Sequence, residues 1–262
     1  MKKYWELFKS QIKIDLHYKA WFWANMISKV MQLLIIYAFW NAVFANQGEI
    51  ASVSQQQMVT YVVIAMFLGT YVYGTGVQLA NSVRDGSIAT ELMKPYDLLL
   101  KLVSLNMGNK VMKTFREVLP LVLLAMFFLS VQGPPSLAAG ILFLVSAVFG
   151  ILIGVHLELV VGLIAFWTVN IWGARMLVNT TLLFFSGALM PLYLFPDWLQ
   201  TASFYLPFQS IVHVPVSIYT GTITGPDILY AVLLQIVWLG IVCTVIRMFW
   251  SLALRRVTIF GG

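Results

Sequence analysis

Residues 81–101 read NSVRDGSIATELMKPYDLLLK, and Arg84, Asp85, Glu91, Lys94, Asp97 and Lys101 crowd their charges into that stretch. The run before it, Met58 to Ala80, holds no charge at all. The fold turns on whether this segment is the surface of a soluble domain or a loop between membrane spans. Of the 262 residues, 60% are hydrophobic and 10% charged, whereas a soluble domain carries roughly 25% charged residues. So few charges cannot cover a surface that faces water. The chain reads as a polytopic membrane protein, and the charged stretch as a loop between spans.

Crossing a bilayer as a helix takes about 20 apolar residues. Six runs qualify: Trp21 to Ala45, Met58 to Ala80, roughly Thr114 to Val131, Leu137 to about Phe166, Met176 to Leu194, and Ile228 to Trp250. Gln132-Gly133-Pro134-Pro135-Ser136 is a turn signal between the third and fourth. The basic residues orient these runs. Six lie at or before Lys29, six between Arg84 and Arg116, one at Arg175, and three from Arg247 onward, which accounts for all 16. Residues 46–57, 132–136 and 197–227 contain none. With six spans, every Lys and Arg falls at or near one face, as the positive-inside rule requires, and both termini are cytosolic. The net charge of +6 is therefore a topology signal and not a nucleic-acid footprint.

The first 20 residues suit an amphipathic helix in the membrane interface, because Trp5, Phe8, Ile12 and Leu16 recur at helical spacing while Lys2, Lys3, Lys9 and Lys13 fall elsewhere. A cytosolic tail is the plainer reading of the same residues. Met1-Lys2-Lys3 does not open a signal peptide, since Glu6, Lys9, Lys13 and Asp15 interrupt any apolar core. Lys29, about 12 Å along the first span, can snorkel back to the headgroups. Cys243, the one cysteine, can form no internal disulfide and reads as a small packed residue.

Ionisable residues deep in a membrane are costly and mark function. Here His156 and Glu158 are the pair well inside a span. Two positions apart on a helix, they point about 200° from each other, so they do not make one metal site. Glu158 lies about 30 Å along the fourth span, near the inner headgroups. It reads either as an interfacial carboxylate paired with a base such as Arg175 or as a substrate-facing or gating group. Gly150 and Gly154 have the small-xxx-small spacing of close helix approach. No Gly-Lys dipeptide exists, so there is no phosphate-binding loop of the G-x-x-x-x-G-K-[ST] type. Nor is there a nucleophile–base set or an acidic metal cluster. The chain carries no catalytic site and no cofactor of its own, and any energy it uses comes from elsewhere.

Asp85-Gly86-Ser87 offers a helix start with Ser87 as N-cap and Glu91 in the first turn, and Pro95 stops it. The spacing predicts about two turns, roughly 12 Å, with Ile88 and Leu92 on one side. Such a helix either docks in another protein's groove or lies on the membrane or on neighbouring spans.

VRDGSIATELMKPYDLLLKLVS resembles the loop after the second span in permease subunits of the type-2 ABC exporter family, where a basic residue, Gly-Ser-Ile and Leu-Met-Lys-Pro recur in that order. Residues 166–208, FWTVNIWGARMLVNTTLLFFSGALMPLYLFPDWLQTASFYLPF, are similar to that family's fifth span and the outer element after it. The N-terminal helix and the terminal RRVTIFGG fit the same pattern, so the resemblance spans nearly the whole chain. It implies an all-α single permease domain over residues 1–262, in a bacterial plasma membrane. The permease is half of an export pathway, paired with a second copy or a related six-span permease within membrane lipid. ATP and Mg would be held by separate ABC ATPase subunits. The segment Arg84, Asp85, Gly86, Ser87, Ile88, Glu91, Leu92, Lys94 and Pro95 would be the coupling helix and its flanks. Pro191, Phe195, Pro196 and Pro207 would shape re-entrant helices that cap the outer side. A facilitator or secondary carrier is the rival, and it needs coupling-ion carboxylates near mid-membrane, which are scarce here. A membrane enzyme would need a convergent polar cluster. A sensor subunit that binds an ATPase without moving cargo is compatible with the same residues.

Overall fold

The computed structural model describes residues 2–15, 19–45, 49–50, 53–72, 74–168 and 170–256. Leu16 of the N-terminal pattern and residues 257–262 of the terminal motif lie outside them. In chain order the helices are α1 (Lys2–Asp15), α2 (Lys19–Phe44), α3 (Gln55–Gly69), α4 (Thr75–Arg84), α5 (Ile88–Leu92), α6 (Leu98–Lys113), α7 (Leu119–Phe128), α8 (Leu137–Ile164), α9 (Trp172–Phe185), α10 (Asp197–Phe204), α11 (His213–Tyr219) and α12 (Pro226–Leu254). A two-residue antiparallel pair, β1 (Glu49–Ile50) and β2 (Val53–Ser54), joins α2 to α3. The molecule is otherwise an all-α membrane protein.

Among the described residues three helices are long and apolar enough to cross a membrane on their own: α2 over Trp23–Phe44, α8 and α12. The other apolar runs are assembled from pieces. Met58 to Ala80 divides into α3 and α4. The break falls at residues 70–74, where Gly74 takes φ +119, a conformation that favours glycine. α6 runs into α7 through a π-helical turn, Thr114–Val118. Pro120 in the first turn of α7 explains the turn, since its ring cannot share a regular ladder with the residues before it. The helix that carries the third run therefore starts at Leu98, well before Thr114. In the fifth run, α9 ends at Phe185 and Gly187 turns the chain at φ +80, so Met176 to Leu194 is not one helix.

α3 is buried almost all round, from Met58 to Leu68, as expected of a helix apolar on every side. Ser54 and Gln57 close a capping box at its start. α8 is the other central element, and α4, α11 and α12 pack against it. Its glycines admit the neighbours. A Cβ at Gly162 would lie 2.7 Å from Leu79 Cβ, and one at Gly150 would lie 2.5 Å from the Ile211 carbonyl. The spacing at Gly150 and Gly154 thus serves close packing against the segment before α11, and not against another long helix. Large apolar side chains remain on the outside of α2, with Trp23, Ile27, Met31, Ile35 and Phe39 all exposed. A four-residue interval aligns them in one stripe.

Candidate functional site

α4 passes through Asp85, Gly86 and Ser87 directly into α5. Gly86 takes φ +78, and the Asp85 carboxylate accepts the Ser87 N–H at 3.0 Å. Ser87 itself makes no side-chain cap bond, so the expected N-cap is replaced by this Asp-centred turn. α5 has five residues, about 7.5 Å of helix, shorter than the two turns expected. Ile88 does not share an outward face with Leu92. It is buried among Leu79, Leu98, Leu99 and Leu102, while Leu92 and Met93 are exposed, Met93 by 85%. Met93 was not singled out in the sequence because the periodic pattern favours Ile88 and Leu92.

Behind this short helix the charges of the opening stretch close on one another. The Glu91 carboxylate accepts from Lys94 Nζ at 2.6 Å and Tyr96 OH at 2.6 Å, and it also pairs with Lys101. Partial burial pushes its pKa up, but the hydrogen bonds from Lys101, Lys94 and Tyr96 outweigh that and hold it at about 2. Asp97 caps α6 by accepting the Leu100 N–H at 2.9 Å and pairs with Arg247 of α12. The Asp97 N–H donates to Tyr4 OH at 2.9 Å, and Lys3 Nζ donates to the Pro95 carbonyl at 2.6 Å. α1 packs lengthwise on α6, where a Cβ at Gly108 would meet the Phe8 carbonyl at 2.5 Å. The turn around Pro95 is thus tied to α1, α6 and α12 together. Arg84 stands outside this network. It lines, with Arg175, a cleft of about 460 Å³ beside α4.

At the other end of α4 lies the least expected contact. Glu158 of α8 is 1% exposed, and its carboxylate accepts the N–H groups of Gly74 at 2.7 Å, Thr75 at 2.5 Å and Gly76 at 3.2 Å. It satisfies donors that the start of a helix leaves without partners and sits where the helix dipole favours an anion. Lys110 of α6, also buried, lies within its electrostatic reach. Glu158 is therefore not paired with Arg175. The backbone of α4 is its partner. A Cβ at Gly76 would lie 2.0 Å from the Glu158 carbonyl oxygen, so glycine is required where the two helices touch. His156, as its angle on the helix predicts, is elsewhere: its Nδ1–H donates to the Leu152 carbonyl at 2.8 Å.

The chain after α9 is broken by prolines. Pro191 precedes a 3-10 turn, Leu192–Leu194; Pro196 opens α10; and Pro207 opens a second 3-10 turn, Pro207–Ser210. Phe195 is buried and stacks on Phe184, ring centroids 4.9 Å apart. Each break strands carbonyl groups, and amide side chains collect them. Gln200 Nε2 donates to the Phe195 carbonyl at 2.7 Å, and Gln235 Nε2 donates to those of Ser210 at 2.7 Å and Ser146 at 3.1 Å. Tyr61 OH lies 2.9 Å from His213 Nδ1 and 3.2 Å from the Gly187 carbonyl. Gln235, Tyr61 and His213 were missed in the sequence. The one available signal was an isolated amide, Gln235, in the apolar run Ile228 to Trp250.

Residues 30–261 match the profile of a family described as ABC-2 family transporter protein. Among curated proteins none matches the chain.

Proposed function

Because the chain belongs to the ABC-2 transporter family, we propose that it is a permease half of an ATP-driven exporter, moved by separate ATPase subunits. Six spans bring both termini to the cytosolic side. A second copy, or a related permease, completes the pathway. The partner ATPases hold ATP and Mg, and the segment from Arg84 to Pro95 is where they grip.

The observation that carries this reading is the build of that segment. A lever must be stiff behind and accessible in front. Ile88 faces inward, and Glu91 and Asp97 make ion pairs with α6 and α12 and a hydrogen bond with α1, whereas Leu92 and Met93 are left uncovered. An exposed bridge such as Asp97–Arg247 is worth under about 1 kcal/mol by itself, but several ties converging on one turn restrict its movement. Closing of the ATPase dimer on ATP would push α5, and α4 would carry the push toward the break at residues 70–74. Alternation between two states then follows from contacts that differ between them. Pro191, Phe195, Pro196 and Pro207 belong to an outer cap, broken backbone being tolerated where protein satisfies it.

Inserting glycines after Gly86 lengthens the link between α4 and α5 without touching a packed residue. The expected result is a normally folded permease that still recruits the ATPase but no longer supports transport-stimulated ATP use. Stimulation that survives the insertion would count against α5 as the transmitting element.

A further inference from the structure

A groove of about 750 Å³ opens between α2, α3 and α9. Three cations from distant parts of the chain line it, Lys29, Lys113 and Arg175, alongside apolar side chains that include Ile36, Phe39, Trp40 and Leu183, and Lys29 and Lys113 lie within electrostatic reach of each other. The four ion pairs among the described residues involve none of the three cations. Lys29 Nζ donates to Gln32 Oε1 at 3.3 Å and Lys113 Nζ to the Thr70 carbonyl at 3.1 Å, both neutral acceptors. Glu117 acts on Lys29 electrostatically but does not line the groove.

Glu117 offsets part of the charge at Lys29, but three cations on one groove leave a net positive lining that a bound anion would complete. Lys and Arg together suit phosphate or carboxylate oxygens. The apolar wall extends along α2 from Lys29 to Trp40, eleven residues or roughly 16 Å. A small inorganic anion would use only the cations, and a neutral apolar molecule only the apolar wall. We infer that the groove binds an amphiphile whose anionic headgroup sits among Lys29, Lys113 and Arg175 and whose apolar body lies along α2 toward Trp40. As a binding site this stands on the groove alone; as the class of cargo it rests on the permease reading. Thr70 and Gly74 also line the groove, so an occupant meets the chain at the break that leads into α4.

The test reads binding in the isolated full-length chain, so its outcome is independent of ATPase coupling. The protein is reconstituted in phosphatidylcholine vesicles containing a minor fraction of brominated phosphatidylglycerol or brominated phosphatidylcholine, and tryptophan quenching is compared. The anionic lipid should quench in excess, with an apparent preference on the order of tenfold at low salt. The excess should disappear in Trp40→Phe and in the triple variant Lys29→Gln, Lys113→Gln, Arg175→Gln. Arg175→Gln alone, checked for native helicity by circular dichroism, should weaken it if the triple variant does not fold. Equal quenching by the two lipids overturns the proposal, as does an excess that persists without the cations. Inorganic phosphate that removes the excess at the lipid's own concentration also overturns it, because the site would then recognise an anion without its apolar body.

Discussion

A buried carboxylate with three backbone donors is a different object from a carboxylate waiting for a lysine. Glu158 holds the N–H groups of Gly74, Thr75 and Gly76, and its loss should be felt as stability. Glu158→Gln keeps the size but replaces one acceptor oxygen with an NH₂ group aimed at other donors. About 1–3 kcal/mol of destabilisation is expected, read as a lower thermal midpoint of the purified chain. Gly76→Ala should do more harm, since the added carbon would sit 2.0 Å from the Glu158 carbonyl oxygen. An unchanged midpoint in Glu158→Gln would mean the three bonds contribute little. At this scale the sequence was only partly legible. It isolated Glu158 as the charge worth explaining and separated it from His156. It could not show the partner, because main-chain N–H groups more than 80 positions away leave no side-chain signature. Ile88 misled for a related reason. The i, i+4 pattern that pairs it with Leu92 is real, but a helix of five residues buries whichever end its neighbours cover.

Among the elements, the turn between α5 and α6 has a pH dependence that follows from Glu91. Its pKa stands at about 2 in place of the ordinary 4.5. A depressed carboxylate contributes stability above its ordinary value and loses it as pH falls through the depressed one. Hydrogen-exchange protection of residues 91–101, corrected for intrinsic rates, should therefore persist at about pH 4 and fade toward about pH 2. Glu91→Gln should lack that protection throughout. Loss setting in near the ordinary value would show that Lys94, Tyr96 and Lys101 do not hold the carboxylate. Proline and glycine punctuation made several element boundaries readable: Pro95 after α5, Pro196 opening α10, and Pro207 opening its 3-10 turn all fall where a breaker should. The division of Met58 to Ala80 was not readable. Hydropathy reports how apolar a run is, and α3 and α4 are equally part of one apolar run although their backbones are discontinuous.

For the whole molecule, the distribution of the basic residues predicts which end faces the cytosol, and the lone Cys243 makes that easy to examine. In a Cys243→Ala background, a membrane-impermeant maleimide should reach Trp198→Cys of α10 in intact cells. It should reach Met93→Cys only after permeabilisation. The reverse pattern would invert the topology and detach α5 from any cytosolic ATPase. Membrane character was legible from composition alone, because so few charges leave no other solvent, while the all-α reading also needed the long apolar runs and the family resemblance. The six apolar runs were legible as runs, yet among the described residues only three correspond to helices that could cross unaided. The rest depend on contacts between segments far apart in the chain, which no local pattern records.

The pinned break between α3 and α4 has a mechanical consequence. Below it, α4 is an arm of ten residues, about 15 Å long, anchored at its root by a neighbour's carboxylate. Above it, α3 is enclosed on all sides and has little room to follow. A tilt of about 10° at that fulcrum would carry the tip of the arm roughly 2–3 Å. The α4 half could then swing like a hinged oar while the α3 half stays in its rowlock.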